Sequence, residues 1–370
     1  LKGHLSRRTR LSAAVAAAAL AVPLLATQPQ AAIAATAADS NDLIVTLGEP
    51  LQQAPQQVAA GLCQGGDPDY NRTESCYIAT VPVEVKEKKT GQITGRALLD
   101  ETSEAKLNPR DRTSWEHKVT LKLHDATGTA LAMSGSVTLK CNACRASAGG
   151  VTALPSGSTQ TFTMTVSSPG TEINTDQMVP VVSVIPNLPG AEAGTGAVGT
   201  PIAVRCDNTP YVSPQSKGGC VYPRYTPTYE LSTLDGKIDQ VAWHIYWAQN
   251  NLRQAWGAKG RGPALTRTAD KNLIDKNRET ACPSSMPRPD GKSCDEYPFA
   301  STHQGASKNP DYSCHMVPEK QNTAEGRDYR NPWYKANRIL EDDAFWVSIT
   351  LPPAGVRAMP PAMNLARCPG

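Results

Sequence analysis

The sequence predicts an α+β protein in two parts: an N-terminal all-β, sandwich-like module, then an α+β domain with a strand–strand–helix finger. Three observations predict this. Residues 41–200 hold short Val- and Thr-rich runs divided by turn signals. Asn187–Pro201 (NLPGAEAGTGAVGTP) is rich in Gly, Ala and Pro and reads as a boundary. Beyond it, apolar residues recur at steps of three and four, the period of a helix face.

Residues 1–38 read as a secretory signal. Lys2, Arg7, Arg8 and Arg10 form a positive start, Leu11–Ala26 an Ala/Leu/Val run, and Ala34, Thr36, Ala37 and Ala38 a small-residue cleavage region. The run is short and weakly apolar for a membrane span. The expectation is therefore a secreted, extracellular product with no membrane attachment once the signal is removed. Domains are expected at 41–190 (a β-rich module) and 200–370 (the α+β domain).

In the first module, Tyr77, Ala79, Val81, Val83 and Val85 alternate onto one face, and 119–123, 136–139, 161–166 and 179–185 are further strands. No titratable groups gather around a reaction centre there, so the module reads as structural or adhesive. Downstream, Ile238, Val241, Ile245, Ala248, Leu252 and Trp256 form a helical stripe that Gly257 can end, with His244 beside it as a packing residue.

The ten cysteines all lie after the signal, and an even count in an exported chain reads as disulfides. Proximity suggests Cys63–Cys76, Cys206–Cys220 and Cys282–Cys294, leaving Cys314 for Cys368. Cys141 and Cys144 form the lone CxxC, read as a small disulfide loop because a zinc ribbon needs a second such pair.

The net charge of +3 conceals an asymmetry. Residues 41–200 carry 12 Lys+Arg against 16 Asp+Glu, residues 201–370 carry 21 against 17. A basic second half hints at an anionic partner. Its densest run, Lys259 to Arg278, is either a solvated surface or a phosphate-facing flank in which Lys259, Arg261 and Arg267 would meet a nucleic-acid backbone.

The chemistry concentrates at Cys282–Val347. Asp295 and Glu296 precede an aromatic-Pro-aromatic run, and on an extended backbone they point to opposite faces unless the chain kinks. Ser313–Val317 reads as a second strand. A helix follows over about 323–340, re-initiated at Asn331-Pro332 as N-cap and N1. Glu341-Asp342-Asp343 is a turn and Ala344–Leu351 a buried strand. Two strands and a helix, with acids on the first strand, outline a ββα-metal nuclease finger. Phosphodiester hydrolysis needs a base and a cation to neutralise phosphoryl charge. Mg²⁺ takes only one or two protein oxygens. Asp295, Glu296 and Asn322 suffice for this, with Glu296 and Asn322 on the metal (Mg²⁺, or Mn²⁺). Arg327 and Arg338 are candidates for holding phosphate, Arg338 as part of the catalytic set. A surface ion pair is the competing role for each arginine.

These residues resemble the NucA/NucB family of secreted bacterial deoxyribonucleases. The resemblance rests on SCDEYPFAST at Ser293–Thr302, then Val317-Pro318, Asn322, Gly326, Asn337-Arg338-Ile339-Leu340 and Phe345-Trp346-Val347. It covers roughly residues 200–355, most strongly 282–347. It implies a ββα-metal variant in which an acid, Asp295, is the base, with Glu296 beside it and Asn322 near the metal. Two departures stand out. Gln321 occupies a position where the family often has an acid, and the interval from Asn322 to Asn337 is expanded. Neither removes a residue the chemistry needs; together they point to weakened metal binding or a degenerate enzyme. His315 reads as a packing residue; His303, in a loop, is an alternative proton donor.

The expected activity is metal-dependent endonucleolytic hydrolysis of DNA with little sequence preference, since no groove-reading helix or zinc finger is visible. No stable protein partner is evident. The alternatives are a catalytically silent binder of extracellular nucleic acid or cell wall, and a nuclease that also cuts RNA.

Overall fold

The computed structural model describes residues 42–51, 62–63, 67–213 and 217–353. The expected signal segment and Cys368 lie outside them. No helix among the described residues is long and apolar enough to cross a membrane.

The first part is built from β1 (Leu43–Leu47), β2 (Asp69–Tyr70), β3 (Glu74–Glu87), β4 (Ile93–Lys106), β5 (Trp115–Gly128), β6 (Ala132–Lys140) and β7 (Arg145–Ala146). It continues through β8 (Val151–Pro155), β9 (Thr159–Ser167), β10 (Asn174–Pro186), β11 (Gly194–Ala197), β12 (Ile202–Asp207) and β13 (Gly219–Val221). One sheet runs β1-β3-β4-β5-β9-β7 with β2 on β3; the other runs β13-β12-β10-β6-β8 with β11 on β10. Alternation along the strands turns one face of each sheet inward. Tyr77, Ala79, Val81, Val83 and Val85 are all buried, as their spacing predicts. Val119, Leu121, Leu123, Met133, Val182 and Val184 meet them in a common core.

The Gly/Ala/Pro-rich segment is integral to this module. β11 lies within it and pairs with β10, and β12 and β13 extend the second sheet past residue 200. The first core reaches Tyr222 and the second begins at Tyr229.

The second part contains β14 (Thr228–Ser232), α1 (Asp239–Asn251), β15 (Leu265–Thr266), α2 (Lys271–Ala281), β16 (Lys292–Tyr297) and β17 (Ser313–Pro318). It ends with α3 (Glu319–Ala324), a π-helical stretch Glu325–Arg330, α4 (Asn331–Ala336) and β18 (Ala344–Thr350). β14, β18 and β15 form one sheet, and β16 and β17 an antiparallel hairpin. Two local expectations are corrected. The helix ends at Asn251 with Leu252 as its extended C-cap, short of Trp256, and Gly257 instead takes φ +72° in the turn that follows, where a Cβ would lie 2.7 Å from the Tyr297 hydroxyl. Asn331 is not an N-cap: its φ and ψ are helical, because the π-helical stretch leads directly into α4. The wider π turn accommodates Pro332, whose missing N–H and ring bulk would break a regular α ladder.

The two parts are joined by a seam of buried charge. Arg338, with no exposed surface, forms an ion pair with Asp207 and also donates to Ser213 Oγ (2.6 Å) and the Pro109 carbonyl (3.0 Å). Arg72 and Arg205 reach in the opposite direction, to Asp343 (2.8 and 2.6 Å) and to the Arg338 carbonyl (3.0 and 2.8 Å). Burial, together with the neighbouring Arg205, lowers the Arg72 pKa to about 10 even against the pull of Asp343.

Two predictions follow from this architecture. Asp343→Ala strands two buried guanidinium groups and is expected to cost about 3–5 kcal/mol, measured by denaturant unfolding of the full chain; a loss below 1 kcal/mol would mean the seam is solvated. The second concerns Glu101 and His117, which face the sandwich interior. Burial pushes Glu101 up to about 8 and His117 down to about 4. Neutral Glu101 is retained in the fold, so its contribution is full below about 4.5 and is lost as pH rises towards 8. That of His117 is full above about 6.5 and is lost as pH falls towards 4. The melting-temperature advantage of Glu101→Gln over the parent should therefore grow between pH 6.5 and 8; a constant offset would contradict the buried carboxyl.

Candidate active site

The hairpin sets the site. β16 and β17 pair without a break from Lys292↔Pro318 to Tyr297↔Ser313, which places Asp295 opposite His315 and Glu296 opposite Cys314. No kink intervenes, so the two acids leave the strand on opposite faces. Asp295 is buried against α1, where its Oδ2 lies 2.7 Å from His244 Nδ1. Glu296, half-buried, turns to the other side, where its Oε2 lies 3.8 Å from Cys282 Sγ.

Glu296 sits where ionisation is hard. Burial first, then the Asp295 charge, push its pKa up to about 7, while Arg330 and Arg278 pull the other way. Glu325, also buried, is raised by burial and opposed chiefly by Arg330, which binds it through Nε (3.0 Å) and Nη2 (3.0 Å). Arg330 also donates to Ser301 Oγ (2.9 Å) and lies over the Phe299 ring (4.4 Å). The structure therefore brings Glu325 and Arg330 within electrostatic reach of Glu296, while Asp295, on the opposite face of the strand, acts on both glutamates through its charge. Neither Glu325 nor Arg330 stood out in the sequence; the signal available was an acid and an arginine five residues apart in a stretch already read as helical.

Asn322 donates its side-chain amide to Ser293 Oγ and to the Cys294 carbonyl (both 3.0 Å), tying α3 to β16. No donor among the described residues engages its Oδ1. Gln321, where the family often has an acid, accepts from the Gln240 amide (3.0 Å) and donates to Asp239 Oδ1 (2.7 Å). It organises the start of α1, where an acid would face Asp239. Asp295, Glu296 and Glu325 do not form a ready-made cage: among the described residues, the three groups whose ligand atoms lie within 4.8 Å of one another are elsewhere. Two of these include disulfide-bonded cysteines. The third is His303 with Glu341 and Asp342, and it takes His303 away from Asp295: its Nε2 faces those carboxylates at 3.1 and 3.0 Å.

The candidate phosphate-binding residues divide. Arg338 does not reach the site, because its guanidinium is consumed by the buried seam. Arg267 is buried too, donating to the Ile339 carbonyl between the Tyr211 and Tyr334 rings. Lys259 and Arg261 are exposed, Arg261 bound to Asn250 Oδ1 (2.7 Å). Arg327 is exposed and paired with Asp328 (2.7 and 2.8 Å). From the basic run it is Arg278, in the last turn of α2, whose charge acts on Glu296.

His244 is a buried, satisfied histidine, as its place beside the helical stripe suggests, and one of its partners is Asp295. It is fully buried with both ring nitrogens engaged, Nδ1 by Asp295 and Nε2 by Ser313 Oγ (2.8 Å). His315 stacks at a tilt 5.8 Å from it and is held down at about 4, first by burial and then by His244.

Disulfides join Cys63–Cys76, Cys141–Cys144, Cys206–Cys220 and Cys282–Cys294, matching the pairs proximity suggests. Cys314 is disulfide-bonded as well. The Cys282–Cys294 bridge anchors β16 one position before Asp295.

The two acids thus stand on a disulfide-anchored hairpin backed by helices. Residues 252–348 match the family model described as Deoxyribonuclease NucA/NucB. No curated protein and no solved structure matches the chain.

Replacing Cys282 and Cys294 together by Ser removes a bridge of sequence separation 12, with an expected cost of roughly 3 kcal/mol in the chain-entropy model. Cleavage should fall further than the folded fraction, because a shift of about 1 Å misplaces a catalytic group. Equal losses in circular dichroism and in activity would reduce the bridge to a stabiliser.

Proposed function

We propose that the C-terminal half is a metal-dependent endonuclease that hydrolyses DNA phosphodiester bonds with little sequence preference, acting outside the cell. The observation that carries this reading is the pair Asp295 and Glu296 within the matched region, the first held by one carboxylate oxygen and the second ionised with difficulty.

A divalent cation fits the donor set. Burial and Asp295 disfavour the Glu296 carboxylate, so a hard cation beside it would stabilise its charged form. Asn322 Oδ1 is a second hard oxygen, and Mg²⁺ needs no more than one or two. Glu296 and Asn322 are the residues that would hold Mg²⁺ or Mn²⁺, which would neutralise charge developing on the phosphoryl oxygens. Asp295, on the opposite face of β16 from Glu296, would have to accept the proton of the attacking water from that side, through the oxygen that His244 leaves unbound. Arg278, exposed beside the acids, attracts the phosphate. Lys259 and Arg261 meet flanking phosphates, a backbone contact that carries no base preference. Arg327 can join them by exchanging Asp328 for phosphate. The alternating β-module supplies the second wall of the seam, and the disulfides suit an oxidising, extracellular setting.

The test is purified mature protein on plasmid DNA and on RNA, with Mg²⁺, with Mn²⁺ and with excess chelator. Nicking and cutting of DNA with either cation, abolished by chelator, is expected. Asp295→Ala and Glu296→Ala should each lower the rate by about 10²-fold or more. Full cutting in chelator after removal of bound metal would sink the metal assignment, and equal cutting of RNA would widen the substrate class.

A further inference from the structure

We infer that His244 is a positioning residue for Asp295, and that Ser313 sets its tautomer. The inference rests on the nuclease reading and adds to it a residue upstream of the matched region, which begins at Leu252.

His244 lies in the middle of α1, with no exposed surface, and bridges both strands of the hairpin: Asp295 on β16 through Nδ1 (2.7 Å) and Ser313 on β17 through Nε2 (2.8 Å). An ionised carboxylate can only accept, so Nδ1 carries the proton and donates it to Asp295 Oδ2. A hydroxyl can donate or accept, so Ser313 can donate to Nε2 and thereby match the Nδ1–H tautomer. Asp295 is thereby fixed in one rotamer, with Oδ2 occupied and Oδ1 left for water. The order Ser–His–Asp is that of a serine hydrolase, but the roles differ. Ser313 is 1 % exposed and no substrate can reach its oxygen. Here the acid is the reacting group and the histidine orients it, so the relay runs in the reverse sense. Any buried histidine needs partners for both nitrogens; what marks this one is that the Nδ1 partner is the carboxylate of Asp295.

Amide side chains separate these roles, because Asn can mimic the Nδ1–H donor whereas Gln mimics the Nε2 side. The full chain carrying His244→Asn, His244→Gln, His244→Leu or Ser313→Ala is assayed on plasmid DNA at saturating Mg²⁺, with melting temperature recorded for each. His244→Leu and His244→Gln are expected to lower kcat about 10²-fold, the scale for a misplaced catalytic group. The KM for DNA should stay within about twofold, as for an interaction needed only in the transition state. His244→Asn should recover most of that loss at a similar melting temperature, and Ser313→Ala should fall between. Should His244→Leu fail to fold, long-range ¹H–¹⁵N spectra of the parent must still show the Nδ1–H tautomer, and Ser313→Ala must perturb it. Folded His244→Leu cutting like the parent, His244→Asn no better than His244→Leu at equal stability, or an Nε2–H tautomer would each overturn the inference while leaving the nuclease reading intact. A parent chain inactive on DNA with every cation overturns both.

Discussion

Asp343 and Arg338 hold the molecule together. Within the short turn after α4, one side chain receives two arginines from the β-module while the other inserts into that module to reach Asp207. Three guanidinium groups and two carboxylates are therefore buried in one place. The imbalance is eased because backbone carbonyls of Asn337, Arg338, Tyr222 and Pro109 accept further donors, although Arg205 Nε finds no partner among the described residues. Burying charge is costly unless it is paired and hydrogen-bonded, and the ion pairs and carbonyl contacts that offset the cost here form only when both parts are present. The β-module is thus a structural half of the protein. The turn it grips directly follows the helical stretch that carries Asn322, Glu325 and Arg330.

The seam also changes what the charge of the second half means. Arg338 and Arg267 contribute to its basic excess, yet both are internal, one paired with Asp207 and the other sandwiched between tyrosine rings. The cations left facing solvent are fewer than the composition suggests: Lys259, Arg261, Arg278 and Arg327 are among them. A long-range pull on a polyanion comes from these exposed groups, because buried pairs are neutralised locally.

At the site, the regular hairpin separates two acids that are neighbours in sequence. Asp295 falls under α1 and is ordered by a histidine; Glu296 falls among Cys282, Arg278 and Arg330 and resists ionisation. Strand alternation alone gives the two carboxylates different environments and hence different chemistry, the usual way in which paired acids divide proton transfer from ligation.

Local pattern determined much of this protein. Period-two alternation placed Tyr77–Val85 on the inner face of a sheet, period-three-and-four spacing marked α1, short loops between cysteines gave four of the disulfides, and the SCDEYPFAST segment marked β16, the strand of the two acids. These features depend on residues close along the chain, where spacing fixes geometry. Only the tertiary structure decided the rest. That Arg338 serves the seam, that Arg330 and Glu325 join the acids, and that His244 holds Asp295 from 51 residues away all depend on which elements pack together. An arginine reads the same in sequence whether its partner is a phosphate or an aspartate, and the packing that chooses between them is set by contacts far apart along the chain.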